Sequence, residues 1–269
     1  MSAPRSAHSG RWLRILAPLI VGMIFLACWD GVVRWFEIEP YVLPAPMLVA
    51  KTLWTDGGSL LGSLWITLRV TGVAFASAVL LGGLIAVLFS QSRLLENSLF
   101  PYAVALQVTP VVAIAPLIII WTRGHYFLAL LICAWIVAFF PVVANTTLGL
   151  RSVDRNLAAL FRLYGASRWQ RLRYLQAPTA LPNFLAGMRI SGGLALVGVV
   201  VSEFVAETGG AETGLAARIL ESSYRLEIAK EIAALVLLSL SGITIFFILS
   251  LVSRLLIAHW HESALPDEE

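Results

Sequence analysis

Apolar residues gather into long uncharged runs along this chain, and the runs predict its architecture. Residues 70–92, 97–122, 124–150 and 232–253 contain no Asp, Glu, Lys or Arg. Two further runs, about 13–33 and 181–206, carry charge only at Arg14 and Asp30 in the first and at Arg189 and Glu203 in the second. A helix needs about 20 mostly apolar residues to cross the hydrocarbon core of a bilayer. In lipid the backbone must satisfy its polar groups internally, so the pattern predicts an all-α, polytopic helical bundle of about six spans. No small-x-small cleavage pattern follows the first run before Trp29, Asp30 and Arg34, which marks it as a retained helix rather than a cleaved signal. The expected layout is a tail over 1–12, one membrane domain over 13–258 and a polar tail over 259–269. Gly72, Gly82 and Gly83 in the second span, and Gly192, Gly193 and Gly198 in the fifth, are expected to let helices approach closely. Pro101, Pro110 and Pro116 are expected to kink or interrupt the third.

Composition agrees with a bilayer as solvent. Hydrophobic residues make up 59% of the 269 and charged residues 13%, against about 25% charged in soluble domains. A net charge of +3 excludes a strong nucleic-acid footprint. The positive charge is almost all arginine, 17 Arg against Lys51 and Lys230, and its placement orients the chain. With the N-terminus inside, eleven basic residues fall on the cytoplasmic side and six opposite, the latter diluted by acids. Both termini are therefore expected in the cytoplasm. Cys28 and Cys133 lie within apolar runs, where small packing residues are common.

Polar groups at membrane depth are rare and are candidates for a translocation pathway. Gln107 and Thr109 sit beside Pro110, Asn145 with Thr146 and Thr147 late in the fourth span, and Ser191, Ser202 and Glu203 in the fifth. For the amides and hydroxyls, hydrogen bonding between helices is the competing role; for Glu203 it is a place at the outer interface. Arg189 is expected to snorkel to the inner face. No H-E-x-x-H or G-x-S-x-G pattern occurs, so an intramembrane enzyme has few residues to use. No G-x-x-x-x-G-K-[ST] loop occurs either, so ATP would have to be hydrolysed by another chain. A gradient-driven secondary transporter remains the alternative, although it would favour inverted repeats and paired buried acids.

One segment does not read as a connector. Residues 151–182 hold six arginines and far exceed the usual length of a helix–helix connection. Asp154 can cap a helix carrying Leu157, Leu160, Phe161 and Tyr164 on one stripe, with Gly165 ending it. A second amphipathic stretch, Trp169–Leu175, leads to Pro178 and Pro182, expected to open the next span. Two readings stay open on these grounds: a helix pair lying on anionic lipid, and a docking knob for a soluble partner.

The spacing resembles the EAA loop of ABC-importer permeases of the binding-protein-dependent class: a glycine, nine residues, then a short motif ending in proline. Here Gly165 is followed by nine residues and by Leu175-Gln176-Ala177-Pro178. The resemblance spans roughly residues 40–255, through LPAP at 43–46, VTPVVAIAPLIIIW at 108–121, FFPVVANTTLGLRSVD at 139–154 and GLALVGVVVSEF at 193–204. It is nearest the nitrate, sulfonate, taurine and pyrimidine-precursor branch. The Glu-Ala-Ala positions read Ala159-Leu160-Phe161, so the family's acidic residue is missing.

The resemblance implies a non-catalytic subunit of a bacterial inner-membrane importer for a small polar solute such as a sulfonate, nitrate, taurine or thiamine-pyrimidine-type heterocycle. It implies a homodimer of permeases over two ATPase subunits that use ATP and Mg, this chain itself holding no cofactor. A periplasmic or lipid-anchored substrate-binding protein would deliver the cargo, with the segment at about 207–228 offering either a docking surface or an interfacial helix. It also implies that Asp154, Leu157, Ala159, Leu160, Phe161, Gly165, Ala166, Ser167 and Pro178 build the coupling helix that enters the ATPase. Arg155, Arg162 or Arg168 would supply polar contacts in place of the missing glutamate.

Overall fold

The computed structural model describes residues 9–206 and 213–257. Among the described residues every regular element is helical, in the order α1 (Ser9–Trp35), α2 (Pro46–Thr55), α3 (Gly57–Gln91), α4 (Arg93–Val108), α5 (Val111–Trp121), α6 (Tyr126–Arg151), α7 (Arg155–Leu163), α8 (Arg168–Arg171), a π-helical turn (Leu172–Gln176), α9 (Ala177–Ala206), α10 (Leu215–Tyr224) and α11 (Ile228–Ile257). Five of these, α1, α3, α6, α9 with its preceding turns and α11, are long and apolar enough to cross a bilayer alone.

The sixth crossing is the broken one. α4 and α5 meet at 100° across Thr109 and Pro110. A residue before proline is pushed out of the helical region, and Thr109 is extended at φ −69°, ψ 123°. Pro101 and Pro116 lie inside α4 and α5, so of the three expected interruptions only the one at Pro110 forms. α4 starts beside the end of α6, where Glu96 pairs with Arg151, and α5 ends just before α6 begins. The bent pair therefore runs from one end of α6 to the other and counts as one crossing.

The second span starts at Gly57, well before the expected Val70, and takes in Arg69. That guanidinium lies 5.2 Å over the ring of Phe127, a favourable place for a cation. α2 was not expected from the hydrophobic pattern, being short and opened by Pro46 at its first turn.

The core is where α3, α6 and α9 pack together, through Ala78, Ala138, Phe139, Val143 and Ala195. Lipid supplies no hydrophobic drive between helices, so small residues and close backbones must provide the contact. At Gly198 an added Cβ would stand 2.7 Å from the Cα of Ala134, and at Gly187 it would stand 2.8 Å from the carbonyl oxygen of Pro141. Gly82 and Gly192 also face neighbouring helices, but Gly72 and Gly193 meet nothing within 4 Å. The expectation of close approach fails at those two, which lie on outward faces of the chain.

Candidate functional site

The segment around Gly165 is built from capping devices. Asp154 Oδ1 accepts from the backbone N–H groups of Asn156 at 2.8 Å and Leu157 at 3.0 Å, satisfying donors that the first turn of α7 leaves free. At the other end Gly165 adopts φ +68°, a left-handed conformation that side-chain-bearing residues avoid. Its N–H donates to the carbonyl of Arg162 at 3.0 Å, and Ala166 N–H donates to that of Phe161 at 2.9 Å. This pair of bonds is a Schellman motif. Nothing lies within 4 Å of an added Cβ there, so conformation alone demands glycine. Ser167 then opens the next helix with a reciprocal capping box: its Oγ accepts from Gln170 N–H, and Gln170 Oε1 accepts from Ser167 N–H.

Beyond Ser167 the structure corrects one expectation. The stretch Trp169–Leu175 is continuous with the span, and of the two prolines only Pro178 stands at the opening of α9. Helix runs from Arg168 through the π turn into α9, with Pro178 in its first turn and Pro182 inside it. A proline lacks the N–H that would close a regular turn, and the wider turn immediately before Pro178 resets the hydrogen-bond ladder there.

No residue of α7 or α8 is buried. Leu157 and Leu160 are about half exposed, Leu163 and Tyr164 are 84% and 83% exposed, and Ala159, Phe161, Ala166 and Pro178 are half-buried. Leu160, Phe161, Tyr164 and Ala166 converge with Gln170 and Tyr174 on an open groove of about 410 Å³. The result is an amphipathic knob whose apolar face lacks cover from its own chain, as at sites of protein or membrane contact.

The pathway candidates do not converge in this way. Thr109 donates to the carbonyl of Ala105 at 2.7 Å, Asn145 to that of Pro141 at 2.8 Å and Ser202 to that of Gly198 at 2.7 Å. Each is a bond within its own helix, and Gln107 is exposed on α4. Ser191 differs, its hydroxyl crossing from α9 to the carbonyl of Ala138 on α6 at 2.7 Å. Arg189, expected to snorkel, donates instead to the buried Ser253 Oγ on α11 at 3.1 Å.

Glu203 has a role that the sequence did not disclose. Its side chain is fully buried inside the protein. One carboxylate oxygen accepts from the hydroxyl of Thr67 and the other from Ala216 N–H, both at 2.8 Å. Thr67 Oγ1 in turn accepts from Leu215 N–H at 2.8 Å. The carboxylate of α9 thus caps the N-terminus of α10, where the helix dipole favours negative charge, and α3 completes the network. Gly214 leaves the space, since a Cβ there would fall on the Glu203 carboxylate. Of the segment 207–228, residues 207–212 lie outside the described residues. The apolar face of α10 is packed inside the protein, with Leu215 and Ile219 against Val49, Leu60 and Ala233, so it does not lie on lipid. Among the described residues, no group of His, Cys, Asp and Glu is arranged to hold a metal ion.

The chain is similar to known proteins over this same architecture. It is 34% identical to the riboflavin transport system permease protein RibX of Chloroflexus aurantiacus, across 96% of this chain and 95% of that one. It is 31% identical to the formylaminopyrimidine transport permease protein ThiX of Halalkalibacterium halodurans, across 76% and 80%. The putative aliphatic sulfonates transport permease protein SsuC of Bacillus subtilis is 29% identical across 91% and 87%. A chain in the crystal structure of an amino acid ABC transporter with histidines superposes with a TM-score of 0.62 at 21% identity, covering 76% of this chain and 96% of that one, which shows the fold. Residues 78–261 match the model of the binding-protein-dependent transport system inner membrane component, a stretch that contains both the knob and the α6–α9 core. The chain belongs to that family and is an ABC transporter permease.

Proposed function

We propose that this permease is the membrane half of an ATP-driven importer, with the α7–Gly165–α8 knob as the element that couples it to a separate ATPase. The observation that carries this reading is the exposed apolar face of the knob on a doubly capped, rigid turn. Binding to lipid alone requires no such break at a left-handed glycine. Two copies of the permease over two ATPase subunits, which bind ATP and Mg, form the working unit, and a periplasmic or lipid-anchored binding protein supplies the cargo from outside. In this reading the chain lies in the bacterial inner membrane with the knob and both termini in the cytoplasm, which the arginine distribution supports.

Coupling is a two-state problem. A partner shifts a conformational equilibrium only by binding its two states differently, so the ATPase must hold Leu160, Phe161 and Ala166 differently when its subunits close and open. Because the helix from Arg168 continues into α9, a displacement of the knob is passed to the α3–α6–α9 core without a flexible joint. The cargo we favour within the sulfonate, nitrate and heterocycle range is a nitrogen heterocycle. The relatives with 34% and 31% identity carry riboflavin and formylaminopyrimidine in their names, and the sulfonate relative is lower at 29%.

Purification of the full chain from its own membrane tests the assembly: an ATPase subunit carrying a phosphate loop is expected to accompany it. Uptake of radiolabelled riboflavin or aminopyrimidine into vesicles, with ATP inside, tests the cargo. A lone monomer that transports on a proton gradient without ATP would replace this reading with a secondary transporter.

A further inference from the structure

At the knob end the chain holds a second cavity, distinct from the open groove. It measures about 310 Å³ and is a half-open cleft between the last turn of α3, the body side of α7 and the helix that starts at Arg168, with Ser90, Gln91, Ala158, Arg168, Arg171 and Gln176 on its walls. None of its lining residues is acidic. Of the other arginines of the segment, Arg151 pairs with Glu96, Arg162 donates through its Nε to the carbonyl of Ala158, Arg173 lies over the ring of Tyr174, and Arg155 is exposed on α7 outside the cavity. The guanidiniums of Arg168 and Arg171 have neither an ion-pair nor a hydrogen-bond partner among the described residues, and the Nε–H of Arg171 is shielded from solvent without an acceptor.

The remaining polar groups are neutral and partly paired with one another. Gln91 Nε2 donates to Gln176 Oε1 and to Ser90 Oγ, both at 3.2 Å, and Ser90 Oγ donates to the carbonyl of Val87 at 2.7 Å. That leaves the amide N–H groups of Gln176 free to donate. A shielded guanidinium donor left unmade is costly, and two unpaired guanidiniums on walls that carry no acidic residue are completed by an oxyanion. Paired guanidinium forks match the several oxygens of a phosphate better than a single point charge does. The level in the membrane also fits. Gln91 ends the long apolar helix α3, and exposed Trp169 and Tyr174 flank the arginines, as aromatic residues do where lipid headgroups begin.

We propose that Arg168, Arg171 and Gln176 form a binding site for a phosphate group behind the coupling knob, filled by the headgroup of an anionic phospholipid or by free phosphate. The site does not depend on the identity of the cargo. To test it, the full chain is purified with its partner subunits into phosphatidylcholine nanodiscs with and without phosphatidylglycerol. Retained lipid is read by native mass spectrometry, and inorganic phosphate is titrated in a thermal-shift assay. The double variant Arg168→Gln with Arg171→Gln should lose roughly tenfold or more in apparent affinity, while Arg162→Gln, outside the cavity, keeps it. Loss in the phosphatidylglycerol arm identifies a headgroup, and loss in the phosphate arm a soluble anion. Unchanged affinity in both arms, or an equal loss in Arg162→Gln, overturns the site. Where the double variant does not accumulate, Arg171→Lys removes only the shielded fork, and undiminished affinity there overturns the site equally. If the wild type binds no anion and the double variant sheds its ATPase subunit, the cavity receives an acidic side chain of that subunit and the proposal is overturned.

Discussion

At one end α9 grows out of a knob in which no residue of α7 or α8 is buried, while near its other end it hands a fully buried carboxylate to α10. Both ends organise a short amphipathic helix, and they do so in opposite surroundings. Asp154 and Ser167 cap their helices in water from neighbouring positions in sequence, whereas Glu203 caps α10 across a gap of 13 residues and with help from Thr67, 136 positions away. α10 is thereby part of the folded body, and the knob is an appendage held rigid only by its own turns. Changes at Glu203 should therefore cost stability, and changes at the knob should cost coupling.

The largest effect is expected from Glu203→Ala. It strips the acceptor from Ala216 N–H inside the protein, at roughly 1–3 kcal/mol for a buried donor left unmade, and leaves the Thr67 hydroxyl only its longer bond to the Ser63 carbonyl at 3.3 Å. A clear drop in the unfolding temperature of the purified permease in nanodiscs follows. Glu203→Gln, whose amide oxygen can still accept, should fall between. Unfolding of Glu203→Ala at the wild-type temperature would show that α10 is held by its apolar face alone.

Gly165→Val comes next and should separate the two regions most sharply. Forcing a β-branched residue to φ +68° costs roughly 1–2 kcal/mol, enough for a change of about tenfold in the population of correctly shaped knob. Because nothing in α7 is buried, the spans should melt as before while ATP-dependent uptake falls and ATP hydrolysis continues. Equal uptake by this variant would remove the coupling role from the glycine turn.

The contrast also explains what the sequence disclosed. Run lengths revealed the spans because bilayer thickness imposes a length on each, and Thr109-Pro110 signalled its break because proline acts through its own backbone. The knob was legible for the same reason: Asp154, Gly165 and the Leu157–Leu160–Phe161 stripe act on residues within one or two turns. The Glu203 network was not, since its partners come from α3 and α10 and no local spacing marks them. Gly214, immediately ahead of an amphipathic stretch, was the available hint of a crowded helix start. Gly149 and Gly187 show the same limit, as glycines pressed against Ala180 and Pro141 that read no differently from Gly72 and Gly193, which touch nothing.

A smaller effect is expected from Asp154→Ala, which removes a cap worth about 1 kcal/mol. Hydrogen exchange should quicken at Asn156 and Leu157 and leave α9 and α10 unaltered. Asp154→Asn, which can still accept, should exchange like the wild type, and equal quickening in both variants would assign the effect to charge rather than to the cap.

The smallest effect on the fold, and the most informative about coupling, is expected from Ala159→Glu, which restores the family's acidic residue. On α7 position 159 lies four residues after Arg155 and three before Arg162, so a glutamate there would pair with both along the helix surface. Each pair adds roughly 0.2–0.5 kcal/mol to the helix, too little to move the unfolding of the spans. The same pairing would withdraw the two guanidiniums from the ATPase. If those arginines have taken over the polar contact that the glutamate makes elsewhere in the family, uptake by the Ala159→Glu variant must fall although its knob is firmer. A rise in uptake would mean that the alanine is a weakened contact and that Arg155 and Arg162 face the bilayer rather than the motor.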